Sequence, residues 1–433
     1  ATNTIAIGRD AMSLGVLTGT DNTAIGRLAG ADLTSGQYNF FGGYSAGGNA
    51  TSAGFNVFVG YTAGFNATTA SQAIAIGRQA IGSGVMTGND NTAIGQEAGN
   101  DLTSGTYNNF MGYQAAYNAT TASNTIAIGK QAIGAGVLTG SSNIAIGYQA
   151  AYNATTGNNT VAIGSQAIGA GVMTGTSNVA IGVSAGNDLT SGTYNNFMGY
   201  QAGYNATTAA NTVAIGTNAL GYGVLTGTNN VAIGYQAGND LTSGQYNFFS
   251  GYQAAYNATT AASNIAIGRQ AIGLGVLTGT NNIAIGYQAG YDLTSGSHNI
   301  LSGYQAGSNL TTGTGNVFQG NEAGEKATTA NYGIAIGDGA IGGAIMTGTS
   351  NVAIGVSAGN ALTSGTYNVL LGYVAGFNVS TGADNTILGP SAGDALTTGS
   401  NNTIIGHDAA ASAVGVSNEI TLGNASVTKF RVP

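Results

Sequence analysis

A glycine recurs through this 433-residue chain every 17 or 18 residues. It closes an Ile-Ala-Ile-Gly-like tetrapeptide at Gly8, Gly26, Gly43, Gly60 and Gly77, and onward to Gly423. That gives 25 positions, with seven intervals of 18 residues and seventeen of 17. The register never slips. Repeats this short cannot bury a face alone, so successive copies must stack. One strand spacing of ~4.8 Å per repeat predicts an all-β fold, a parallel β-solenoid or β-roll of about 25 coils, on the order of 115–120 Å long.

The longer units are of one kind, as from Gly77 to Thr87, with the extra residue in a turn. Around them run 17-residue units of an Ala98–Asn108 kind and of a Tyr117–Thr121 kind. The three often cycle in order, giving a super-period of 52 residues, as from Gly77 to Gly129. The repeat is expected to occupy residues 1–410 as a shaft. Residues 411–433, where the Thr column gives way to Val414, are expected to form a C-terminal cap or junction. Because Ala1–Thr4 already lie within a repeat, the chain is expected to be a processed form or a segment.

Composition narrows the function classes. Charged residues are 6% of the chain, against roughly 25% in an average soluble domain. Apolar residues reach 43%, too many for a disordered chain. The polar surface must therefore be built from Asn, Thr, Ser, Gln and the 75 Gly. Eight Lys and Arg in a chain of net charge −8 form no basic stripe, which argues against a nucleic-acid partner. No apolar run reaches the ~18 residues of a membrane-spanning helix, so membrane insertion is not expected. With no Cys, disulfides and thiolate metal sites are excluded.

The columns of the repeat are informative. Two residues before the Gly stands an apolar residue (Ala6, Ala24, Phe41, Phe58), and three after it Ala recurs in 24 of 25 coils. Strands such as Ile126-Ala127-Ile128 are apolar on both faces, and a strand apolar on both sides is buried on both sides. One face can fill the coil; the other needs a partner, which a closed homotrimer would supply equally to three copies. On this reading a charge at Ala127 would abolish assembly, and the expected partner is the chain itself. Six residues after the Gly an Asx residue recurs, expected in exposed turns, and two further on a Thr or Ser lines up.

The same columns bear on chemistry. His298 and His407 are about six coils apart and cannot share a metal or a triad. The Asp column recurs every two or three coils, ~10–15 Å, too far for paired acid–base work. No catalytic, cofactor or metal site is expected, and the chain reads as a non-enzyme. Two surface features remain as candidates. Tyr follows the coil Gly at Tyr44, Tyr61, Tyr113, Tyr148, Tyr200, Tyr235, Tyr252, Tyr287, Tyr304 and Tyr373. Such a row either stacks on sugar rings or stabilises its own sheet. Eleven N-glycosylation sequons stand at Asn49, Asn66, Asn118, Asn153, Asn158, Asn205, Asn257, Asn309, Asn378, Asn401 and Asn424, eight of them in the column six after the Gly. They either carry glycans that shield the fibre or arise because turns want Asn and the next position wants Thr.

The phrase Asn-Thr-Ile-Ala-Ile-Gly, at Asn3–Gly8 and Asn124–Gly129, resembles the head repeat of trimeric autotransporter adhesins, across nearly the whole chain. The period departs from those heads, whose coils are shorter. The segment Asn418–Arg431 resembles the stretch that precedes the self-cleaving chaperone of viral tail fibres. Both resemblances imply trimeric, extracellular fibres on a virion or cell surface, structural or adhesive, that reach a glycan or receptor. The second reading is an ice-binding or glycan-coated protective solenoid. Its adjacent Thr pairs (Thr68-Thr69, Thr120-Thr121) point oppositely, against an ice-ordering face.

Overall fold

The computed structural model describes residues 2–429 and 431. The chain forms two compact units, Ala1–Thr226 and Gly227–Pro433. The first holds strands β1 (Ile5–Ile7) to β13 (Val213–Ile215), and the second β14 (Val231–Ile233) to β25 (Ile420–Leu422). Among the described residues there is no α-helix. Within each unit every strand is three residues long and pairs in parallel with the next, in register. Ile126-Ala127-Ile128 sits on Ile144-Ala145-Ile146, residue for residue. The predicted all-β parallel β-solenoid, one coil per Gly interval, is the observed architecture. The pairing reaches β25, so the expected C-terminal cap segment supplies a coil of its own.

Each strand points its centre inward and both flanks outward. Ala127 is fully buried, whereas Ile126 and Ile128 are half-exposed. Every Ala of the column three after the Gly, from Ala29 to Ala409, is buried inside its own coil. The two Ala columns therefore fill the coil rather than a contact between chains. A charge at Ala127 would break the coil itself, and any self-association falls to the outward Ile and Val columns instead.

The interior explains the three kinds of coil. Six of the central strand positions are Phe, among them Phe41, Phe58 and Phe110, all fully buried. Beside them the position four after the Gly shrinks to Gly or Ala. A Cβ at Gly47 would lie 2.9 Å from the Phe41 ring. In the 18-residue coils, whose strand centre is Ala (as at Ala75, Ala127 and Ala162), the same position holds a buried Ile, Leu or Met, as at Ile81, Ile133 and Ile168. In the 17-residue coils centred on Ala24, Ala93 and Ala180 it is Gly30, Gly99 and Gly186, where a Cβ would lie 2.7 to 2.8 Å from a Phe ring of the next coil. Close packing rewards this exchange of volume between neighbouring columns.

The repeat Gly has its own reason. Gly129 has φ +129°, and a Cβ there would lie 2.6 Å from the Gly147 carbonyl oxygen. Neither the backbone angle nor the approach of the next coil admits a side chain.

Candidate functional surfaces

The strongest polar feature of the interior escaped the sequence reading. Four residues before the repeat Gly, immediately ahead of each strand, stands Asn in 18 of 25 coils. These Asn are buried and stacked into a ladder. Asn247 Nδ2 donates to Asn230 Oδ1 at 3.0 Å and to the Ala261 carbonyl at 2.8 Å. Its Oδ1 accepts the backbone N–H of Asn264 at 3.0 Å and that residue's Nδ2 at 3.3 Å. Buried amides of this kind are costly unless satisfied, and here each coil satisfies the next. Where Thr replaces Asn, as at Thr125, the backbone N–H still donates to Asn108 Oδ1, at 3.0 Å.

The ladder ends at Glu419. Its N–H donates to Asn402 Oδ1 at 3.0 Å. Its carboxylate accepts from the Ser412 hydroxyl and backbone N–H and from Thr421 Oγ1. The Ser412 hydroxyl, then Thr421 and the Ser412 backbone, hold that carboxyl below the ordinary range.

The Asx column six after the Gly lies at turns but is mostly half-buried rather than exposed. In this column the sequon Asn side chains cap the neighbouring coil. The Nδ2 of Asn66, Asn118, Asn153, Asn205 and Asn257 donates to a backbone carbonyl 17 residues on, at 2.8 to 3.0 Å. Asn49 donates to Asn66 Oδ1 at 2.6 Å. The atom a glycan would use is thus already engaged in holding the stack, and Asn309 and Asn378 are the exposed members of the column. Asp has no such donor. At Asp101, Asp188, Asp240 and Asp292 partial burial instead raises the carboxyl above its ordinary range.

The Thr column is likewise internal in its bonding. Thr34, Thr51, Thr103, Thr190 and Thr242 donate their hydroxyls to the carbonyl of the corresponding residue of the next coil, at 2.9 to 3.1 Å. These hydroxyls are committed to the protein, whereas the adjacent residues, such as Thr69, Thr121 and Thr156, are exposed.

The Tyr column is outward. Tyr44, Tyr61 and Tyr235 are about 38%, 55% and 44% exposed. Consecutive rings stack on each other: Tyr44 on Tyr61 at 5.0 Å and 9°, Tyr287 on Tyr304 at 5.2 Å and 11°. Paired rings cover each other's faces, so edges and hydroxyls are what they present. The same column also carries Arg9, Arg27, Arg78, Lys130 and Arg269, five of the eight basic residues. Arg27 lies over Tyr44, Lys130 over both Tyr113 and Tyr148, and Arg269 over both Tyr252 and Tyr287, at 5.6 to 5.9 Å. Reading the Tyr alone missed this alternation; the residue types filling the remaining coils of the column would have revealed it.

A cleft of about 320 Å³ opens beside Tyr44, lined by Leu14, Leu28, Asp32 and Phe65 among others. His298 and His407 are both exposed, and His407 Nδ1 lies 3.0 Å from Asp408. Among the described residues no three His, Asp or Glu side chains gather as a metal site would require, and no helix is long and apolar enough to cross a membrane. No protein-family model matches the chain, and no curated protein matches it.

Proposed function

We propose that this chain is a structural, non-catalytic shaft that winds or packs with two further copies of itself along a common axis. In this reading it works outside the cell, on a virion or cell surface, giving reach and repeated points of attachment. One observation carries the proposal. The outward flanks of the strands form two apolar columns, including Ile74, Ile76, Ile233 and Ile285 at 37 to 41% exposure. These columns are interrupted at a few coils, as by Gly42, Asn109, Ser250, Ser302 and Gln319, and half-exposed Ile and Val at most coils are an aggregation hazard unless a partner covers them. The partner most economically matched to a regular column is the same column on another copy, and a closed symmetric trimer leaves none uncovered. Repetition along the surface then favours many equal weak contacts, which add through avidity.

Because the chain has no Cys, a single one reports neighbours cleanly. Ile144→Cys and Ile146→Cys, each oxidised in native buffer, should give disulfide-linked dimers on non-reducing gels. Thr156→Cys, on an exposed turn, should not. Equal cross-linking at all three positions, or none at the Ile positions, would contradict self-association through the strand face.

A further inference from the structure

Five consecutive coils of the second unit carry Tyr235, Tyr252, Arg269, Tyr287 and Tyr304 in one outward column. Tyr235 stacks on Tyr252 at 5.1 Å and 13°. The Arg269 guanidinium lies 5.6 Å above the Tyr252 ring centre and 5.8 Å from that of Tyr287. Tyr287 in turn stacks on Tyr304. Next to this column runs a second one made wholly of Gln. Gln253, Gln270, Gln288 and Gln305 each donate to the Gln of the preceding coil, at 2.9 to 3.3 Å. On the other side stand Ile233, Ser250, Ile267, Ile285 and Ser302. These three columns hold no acidic side chain. The Asp residues of the same coils, Asp240 and Asp292, stand in the column six after the Gly.

We propose that this Tyr–Arg ladder with its Gln border binds a linear glycan lying along the coil axis, with an acidic sugar over Arg269 and neutral sugars over the flanking Tyr pairs. A guanidinium held between two rings is fixed in place, and its N–H edge suits a carboxylate. Tyr hydroxyls and Gln amides offer donors and acceptors once per coil, at the strand spacing of ~4.8 Å. An extended sugar chain repeats on a similar scale.

Charge selects among polymers. A nucleic acid needs several phosphates neutralised, and this patch offers one cation. A polyanion charged at every unit would also be repelled by a chain of net charge −8. A wholly neutral glycan would cover Arg269 without giving it a partner. A peptide strand would need free backbone groups, and those of these coils are spent on pairing with their neighbours. The inference goes beyond the shaft reading and does not depend on trimer formation.

The test uses hyaluronan oligosaccharides, which alternate acidic and neutral sugars, and neutral N-acetylglucosamine oligomers, titrated calorimetrically into the full chain. Arg27→Gln and Lys130→Gln are introduced first, to silence the two other cation–Tyr stacks. In that background hyaluronan should bind at one site per chain, at least about tenfold tighter than the neutral oligomer. Arg269→Gln should remove about tenfold of that affinity with an unchanged melting curve. Should that variant unfold, Arg269→Lys, which keeps the charge and loses the planar fork, should still weaken binding. Absence of hyaluronan binding, equal affinity for the neutral oligomer, or unchanged affinity on substitution at Arg269 would overturn the proposal. Light scattering on the same samples keeps the two proposals separate. A trimer that ignores hyaluronan defeats only the glycan site; a monomer that binds it defeats only the assembly.

Discussion

Ala127 and its neighbours Ile126 and Ile128 belong to one three-residue strand and are all apolar, yet they belong to different surfaces. Ala127 faces the coil interior, fully buried between Phe110 and Ala145 of the neighbouring coils. Ile126 and Ile128 face outward, half-exposed, where nothing within the chain sets their size. The interior columns accordingly trade volume, with Gly or Ala beside a Phe and Ile, Leu or Met beside the Ala centres of the longer coils. The outward columns vary freely, mostly among Ile, Val, Leu, Thr, Met and Phe but also to Asn, Ser, Gln and Gly. Apolar character alone does not say which surface a residue serves. The constraint on its volume does.

The comparison breaks most sharply at the repeat Gly. Gly129→Ala would place a side chain against the Gly147 carbonyl at a backbone angle that L residues rarely adopt. The backbone strain alone costs about 1–3 kcal/mol, and the collision adds to it. Denaturant unfolding should show a loss above that range. A change within about 0.5 kcal/mol, as for ordinary surface substitutions, would mean that the coils are not packed as described.

A smaller loss is expected in the buried Asn ladder. Asn247→Ala removes the acceptor for both Asn264 donors and the donor to Asn230. Each buried group left unsatisfied costs about 1–3 kcal/mol. Asn257→Ala, at a half-buried turn with a single bond to the Leu274 carbonyl, should cost less. Equal melting temperatures for the two variants would remove the distinction between inside and outside.

The smallest effect is electrostatic. Burial raises the carboxyls of Asp101, Asp188, Asp240 and Asp292, so the folded state binds their protons more tightly than the unfolded one does. Their penalty is present at neutral pH and fades as pH falls through the raised folded-state values toward the ordinary 3.8. Replacing all four by Asn should raise the melting temperature at pH 7 and leave it nearly unchanged at about pH 3. A gain of the same size at both pH values would exclude a charge origin.

Much of this was legible beforehand, because a Gly at an unbroken 17- or 18-residue interval leaves few alternatives to stacked parallel coils. The strand centre and the Ala column could be named as apolar, but not assigned to the inside. That assignment depends on where the chain turns between strands. The Asn ladder stayed hidden for a related reason. An Asn next to a turn reads as solvent-facing, and only closure of the coil places Asn39 or Asn247 in the interior. The Tyr column was visible as a period, but its pairing face to face depends on the vertical approach of successive coils.

The account rests on the outward strand columns joining one copy to others, and the native mass tests that most directly. Light scattering in native buffer should give three times the 42.4 kDa of the chain. Ile146→Asp, which puts a charge on the outward face of an otherwise intact coil, should reduce that mass while leaving the β-sheet circular dichroism unchanged. A wild-type mass of 42.4 kDa would contradict the account.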